Sequence, residues 1–334
     1  MLLITSPRFE EHVTPPGHPE RPERAHVFDA AADRWRQRVT IASPVAATRE
    51  QLLRVHSAAH VDAITATAGR AVMLDADTFT SPESCEIALL AAGAAVQAAD
   101  HALDHREPAF ALVRPPGHHA ERGRAMGFCL FNNVAVAAAH ALSRGLKRVA
   151  VVDVDVHHGN GTQWMFYDDP RVLYVSTHQF PFYPGTGAAD DIGTGEGAGY
   201  TLNVPLEAGA TDADYDLVYR EAVIPVLNQF APELVLVSAG FDAHESDPLA
   251  SMRMTEVGYG SILRRLMQVA PDRTAFVAEG GYDLAALGSC LDEAFAAATG
   301  LPGAVLPDAG VLTPRGDRAL AAVRRVQQRF WPGF

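Results

Sequence analysis

Residues 149–161, VAVVDVDVHHGNG, constrain the fold of this 334-residue chain more than any other stretch. The run opens as an apolar, β-branched segment without polar alternation, the pattern of a parallel strand buried on both faces. Ionisable side chains then interrupt it at every second position, at Asp153, Asp155 and His157, before the chain turns through Gly159 and Gly161. In an extended strand alternate side chains share a face. Asp155 and His157 are therefore expected to reach one point in space, with Asp153 one step behind. Carboxylates and an imidazole at the carboxyl end of a buried strand are costly unless something pairs with them, and a divalent metal would do so. Ligands of open α/β sheets collect at that same end.

Nearly half the residues are apolar and 20% are charged. That balance supports a sizeable core and argues against disorder. The net charge of −13 disfavours nucleic acid as a partner and mildly favours cationic substrates. Cys85, Cys129 and Cys290 are far apart. They form neither a disulfide framework nor a cysteine zinc site, and they read as reduced, buried thiols of a cytoplasmic protein. The first ten residues lack the basic flank and apolar core of a signal peptide. Apolar runs such as 89–99 are too short and alanine-rich to span a bilayer, so no membrane partner is expected.

The chain reads as alternating strands and helices. Strands are expected at 2–5, 110–113, 149–156, 172–176, 234–237 and 274–278. Helices are expected at 25–36, 81–103 with Ser81 as N-cap, 132–144 ending at Gly145, 213–230 with a kink at Pro225, 258–269 and 318–330. No linker or repeat divides it, so residues 1–334 read as a single α/β domain, a mainly parallel sheet with helices on both faces. The proline-dense loop 11–24 belongs at the surface, at the mouth of a site. His56 and His60 are spaced like metal ligands on a helix, but without a nearby acid they read as structural.

Four expected strand ends carry unusual residues: 115–119 with His118 and His119, 153–160, 239–242 with Asp242, and 279–282 with Tyr282. In a parallel sheet these ends share one edge. Asp155, His157 and Asp242 supply three ligands with an open position, the composition of a catalytic zinc site; the competing reading of Asp242 is a helix N-cap. His157 and His158 point to opposite sides, and strand alternation selects His157. Adding His118 and His119 as ligands would make five, too many for tetrahedral zinc. As acid and base they fit attack by a metal-activated water, with Asp153 placed to orient one of them; the bland alternative is packing beside the metal. Tyr282 follows Gly280 and Gly281, which let backbone approach a site. Its hydroxyl either donates to a substrate carbonyl oxygen or is satisfied in the core.

RPPGHHA, GFCLFNN, DVDVHHGNGTQ, YPGTG, SAGFDAHESDPL and EGGYD together resemble the histone deacetylase superfamily, including bacterial histone-deacetylase-like amidohydrolases and acetylpolyamine amidohydrolases. The likeness covers most of the chain, and RPPGHHA with Asn160 resembles the class II branch. It implies an arginase/deacetylase-like fold, one zinc per chain on Asp155, His157 and Asp242, and His118 and His119 as catalytic histidines. It further implies Asp153 behind His118, Asn160 behind His119, and Tyr282 as the group that polarises the carbonyl. Gly127, Phe128, Tyr183, Leu249 and Gly281 would line an acyl-lysine tunnel, with Gly127 leaving room for the alkyl chain. A structural potassium is implied on backbone oxygens of Asp153, Asp155 and His157 with Ser176. Leu249 stands where polyamine-specific members carry an acid, so it resembles a lysine deacetylase; Glu20 or Asp77 would supply any negative charge at the rim.

The expected function is zinc-dependent removal of acetyl or other acyl groups from acyl-lysine or a related amine, with an acetylpolyamine as the alternative substrate. The oligomeric state stays open, a homo-oligomer included. A two-manganese ureohydrolase would need more acid ligands than are present, with Asn160 where another acid would help. A non-catalytic acyl-lysine binder would not need His118, His119 and Tyr282.

Overall fold

The computed structural model describes residues 1–333 except 304–305 and 307–311. The strands among the described residues are β1 (Leu2–Ile4), β2 (Thr40–Ala42), β3 (Val72–Met73), β4 (Phe79–Thr80), β5 (Ala109–Ala111), β6 (Val149–Asp153), β7 (Val172–Gln179), β8 (Thr201–Leu206), β9 (Leu234–Ala239) and β10 (Thr274–Ala278). β3 and β4 pair as a separate antiparallel hairpin. The other eight form one parallel sheet in the order β2-β1-β5-β10-β9-β6-β7-β8.

β6 shows why the apolar run carries no alternation. Val149 and Val151 pack into the layer of helices Ser84–His105 and Asn133–Ser143. Ala150 and Val152 pack into the layer of Glu256–Val269 and Leu284–Ala298. Both faces are dry, and each fully buried valine contributes roughly 1.5–3 kcal/mol. An acid at Val151 would place an unpaired charge against alanine-rich helices and break this packing.

The expected α/β architecture is present, with local corrections. β6 stops at Asp153, so Asp155 and His157 lie in the turn beyond it. Side chains take over the backbone hydrogen bonds there: Asp155 N–H donates to Asp153 Oδ1 (3.2 Å) and His157 N–H to Asp155 Oδ1 (2.9 Å). Strand alternation is therefore not what orients these two side chains. Ser81 does not cap the helix Ser84–His105; its hydroxyl donates to the Glu11 carbonyl, and its N–H donates to Ser84 Oγ. Near Pro225 the helix is broken into Asp212–Val218, a wide turn Tyr219–Val223 and Ile224–Phe230, which absorbs the missing proline N–H. The final helix is Pro314–Gln327.

His56 and His60 stack with ring centroids 4.7 Å apart. His56 Nε2 accepts from Asn132 N–H at 2.9 Å, and His60 Nε2 lies 2.9 Å from the Leu130 carbonyl. They fix the segment leading into the helix that Asn132 caps, a structural role. Among the described residues no helix is long and apolar enough to cross a membrane.

Candidate active site

β5, β10, β9 and β6 are neighbours, so their carboxyl ends bring together residues from chain positions more than a hundred apart. Asp155, His157 and Asp242 are all buried, with one ligand atom from each within 4.8 Å of the others. His157 Nδ1 lies 3.2 Å from Asp155 Oδ1 and 3.1 Å from Asp242 Oδ2. Burial opposes charge on His157, but the two carboxylates raise it to about 10. Burial and the neighbouring Asp155 push Asp242 up to about 7. Two buried carboxylates converging on one ring nitrogen make a place that holds positive charge. Two oxygens and one nitrogen, with no fourth protein ligand among the described residues, fit a divalent ion with an open position. Asp242 caps no helix; its Oδ1 accepts from Val156 N–H at 2.9 Å. Gly280 N–H donates to Asp155 Oδ2 at 2.9 Å. A Cβ at Gly280 would stand 2.8 Å from Asp242 Cγ, so only glycine lets this backbone in.

The tandem histidines stand beside this triad with different partners. His118 Nδ1 meets Asp153 Oδ2 at 3.0 Å. Burial pushes its imidazole down, but Asp153, Asp155 and Glu279 outweigh it and hold the ring well above its usual range. His119 Nδ1 donates to Asn160 Oδ1 at 2.8 Å. The amide is oriented because its Nδ2 donates to Glu121 Oε1, also at 2.8 Å. That fixes the tautomer and leaves His119 Nε2 as a bare acceptor. Burial, then the charges of His118 and His157, hold His119 well below its usual value. His158 turns away, to Thr186 and Gln163.

A cavity of about 160 Å³ descends to His119 and His157, walled by Phe128, Tyr183, Leu249 and Tyr282. The Tyr282 ring sits between the Arg24 guanidinium, 5.1 Å from its centroid, and the edge of Phe128 at 5.8 Å. Burial holds its hydroxyl well above the usual phenol range, so it stays a donor.

The histone deacetylase domain model matches residues 18–298. The chain belongs to the histone deacetylase family. It is 40% identical over 291 residues to a probable deacetylase of Archaeoglobus fulgidus, covering 84% of this chain and 81% of that protein. It is 38% identical to histone deacetylase 15 of Arabidopsis thaliana, covering 99% of this chain and 62% of that protein. The crystal structure of the HDA15 HD domain superposes with a TM-score of 0.93 at 36% identity, covering 99% of this chain and 95% of that one. The family and the arginase/deacetylase-like fold expected from the motifs are thus both found, and deacetylase activity on an acetylated amine follows from membership.

Within this histone deacetylase fold three sequence expectations need correction. Gly127 lines the cavity as expected, but its missing Cβ makes room for His119 rather than directly for an alkyl chain. At φ +56 a Cβ there would fall 2.7 Å from His119 Cγ and 2.9 Å from His119 Cβ, so the space belongs to the histidine. Glu20 supplies no charge at the rim. It is fully buried and bonded to Arg114 and Arg24; the charge of Arg114, then His12, then the charge of Arg24 together outweigh its burial and hold it well below the usual carboxylate range. Gly281 (φ +117), expected in the tunnel wall, is not among the residues that line the cavity; a Cβ there would meet Leu287 and Phe241 instead. Asp77 does line the cavity.

Sequence reasoning missed three residues. Phe182 stacks on His157 at 5.5 Å; the aromatic pair beside Tyr183 was its signal. Glu279 accepts from the backbone N–H groups of Gly117 and His118 at 2.6 and 3.1 Å, and burial raises it to about 7. Asp247 accepts from Leu249 and Tyr282. Both acids stood in quoted motifs, EGGYD and SDPL, without a role.

Proposed function

We propose that this deacetylase uses one zinc ion, held by Asp155, His157 and Asp242, to hydrolyse the amide of an acyl-lysine. The carrying observation is a cavity that ends on His157, the neutral base His119 and the hydroxyl-bearing ring of Tyr282. The ion, when bound, supplies Lewis acidity that polarises the carbonyl and makes water nucleophilic near neutral pH. Tyr282 donates from its hydroxyl to the same carbonyl oxygen, where charge develops. His119 Nε2 accepts the proton of the attacking water, because Asn160 has committed Nδ1 as a donor. The same nitrogen then returns the proton to the departing amine. His118, held cationic by Asp153, stabilises the negative charge at the reaction centre. Phe128 and Tyr183 flank the arm and exclude water. A structural potassium, if bound, would be held by the backbone oxygens of Asp153, Asp155 and His157 with Ser176.

Leu249 at the wall, with Glu20 withdrawn into an internal ion pair, supports acyl-lysine as substrate, while Asp77 on the cavity lining keeps an acetylated polyamine as the alternative. The test is turnover of a fluorogenic acetyl-lysine amide with metal analysis of the active protein. One zinc per chain, loss of activity on chelation, and a higher kcat/KM for acetyl-lysine peptides than for acetylpolyamines are expected. Two manganese ions per chain, or binding without turnover, would overturn the reading.

A further inference from the structure

Asp247 lies outside the metal set and outside the tandem histidines, yet its carboxylate joins two walls of the cavity. Oδ1 accepts from Leu249 N–H at 3.0 Å. Oδ2 accepts from Tyr282 N–H at 2.7 Å and from Asp283 N–H at 3.3 Å. The residue is only 6% exposed, and its backbone N–H donates to His244 O at 2.9 Å, so the anchor is itself held.

Packing alone does not place these walls. Leu249 and Tyr282 line the 160 Å³ catalytic cavity and also a second cavity of about 510 Å³ under the proline-rich loop, with Pro15, His18 and Pro248 among its other walls. Both residues therefore border open space, and although the Tyr282 ring is also held between Arg24 and Phe128, neither has the close packing all round that fixes core groups. Backbone hydrogen bonds to a buried acceptor add the missing constraint. The link also crosses the chain: residue 247 follows β9, while residue 282 follows β10.

We propose that Asp247 is a positioning residue for catalysis: it sets the backbone at Tyr282, and so where the hydroxyl meets the substrate carbonyl, and it locks the Leu249 wall in register with it. This rests on the role of Tyr282 given above. Oriented donors lose effect steeply with misplacement, and an ångström is enough for about 10²-fold.

Asp247→Asn keeps the shape but offers an N–H₂ group to one of the N–H donors. Its kcat on a fluorogenic acetyl-lysine amide should fall about 10–100-fold, with zinc content unchanged. In a Tyr282→Phe background the same substitution should lower kcat less than about twofold, because the group it positions is gone. Full additivity of the two losses would overturn the proposal while leaving Tyr282 catalytic. An unchanged kcat in Asp247→Asn would do the same. An unchanged kcat in Tyr282→Phe would remove both the role of Tyr282 and the proposal. If Asp247→Asn does not fold, Asp247→Ser takes its place; if neither retains zinc and a cooperative melt, Asp247 is a structural residue and the proposal fails.

Discussion

Gly127→Ala separates two accounts of the cavity. If the glycine made room for the substrate arm, an added methyl would obstruct binding: KM would rise and kcat would hold. The structure puts the imidazole of His119 in that space instead, with Cγ only 2.7 Å from the added carbon. The backbone there has φ +56, a left-handed conformation that costs a non-glycine residue about 1–2 kcal/mol. Keeping His119 in place adds an overpacking cost of about 1–3 kcal/mol, so the total strain is roughly 2–5 kcal/mol. Turning His119 away relieves the overpacking but gives up the 2.8 Å bond to Asn160 and with it the fixed tautomer. The second outcome removes a proton-transfer group, and kcat should fall about 10²–10⁴-fold. The triad is untouched, so zinc content should stay at the wild-type level. Steady-state kinetics on an acetyl-lysine amide, metal analysis and thermal melts measure all three quantities. A variant with wild-type kcat and a raised KM would refute the placement of His119 against Gly127.

Asn160→Asp should raise the pKa of His119 by giving it a carboxylate. The acidic limb of kcat/KM would then move to higher pH; a limb that instead moves only in Asp153→Asn would make His118 the base. Asp242→Ala should lose most bound zinc and all measurable turnover, and a fully loaded Asp242→Ala protein would remove it from the ligand set. Glu20→Gln leaves Arg114 and Arg24 buried with less countercharge and should cost about 3–5 kcal/mol at pH 7 by urea melts. Because Glu20 is held below its ordinary value, its stabilisation is complete above about pH 4.5 and fades as pH falls towards the depressed pKa. The gap between wild type and Glu20→Gln should therefore narrow in acid; a gap independent of pH would show that the charge of Glu20 is not what matters.

The sheet was legible where burial on both faces left a plain signal, as in 149–153. β8 was not: TLNVPL carries Asn203 and Pro205, and it is an edge strand, where proline is tolerated and the β signal is weak. The helix Leu284–Ala298 was also passed over, although Asp283 caps it. Within the site, residue types and strand ends pointed to Asp155, His157, Asp242, His118 and His119, because charged groups in apolar contexts stand out. The errors share one cause. What fills the space beside Gly127, and which cations surround Glu20, are set by contacts between distant segments. Alternation along a strand also could not show that side chains of Asp153 and Asp155 would end the ladder.

The strand order has a consequence for biosynthesis. β9 and β10 are the last strands made, yet they lie in the middle of the sheet, between β5 and β6. A nascent chain that has emerged only as far as β8 holds two half-sheets, each with an inner edge awaiting a partner that is still in the ribosome. Those edges are open to mispairing until the last strands slot between them. Asp242 and Tyr282 travel with the late strands, so a chain cut short after β8 lacks the proposed third ligand and the proposed hydroxyl donor however well its first half folds. On the proposed ligand set, metal capture would then be one of the closing events of synthesis.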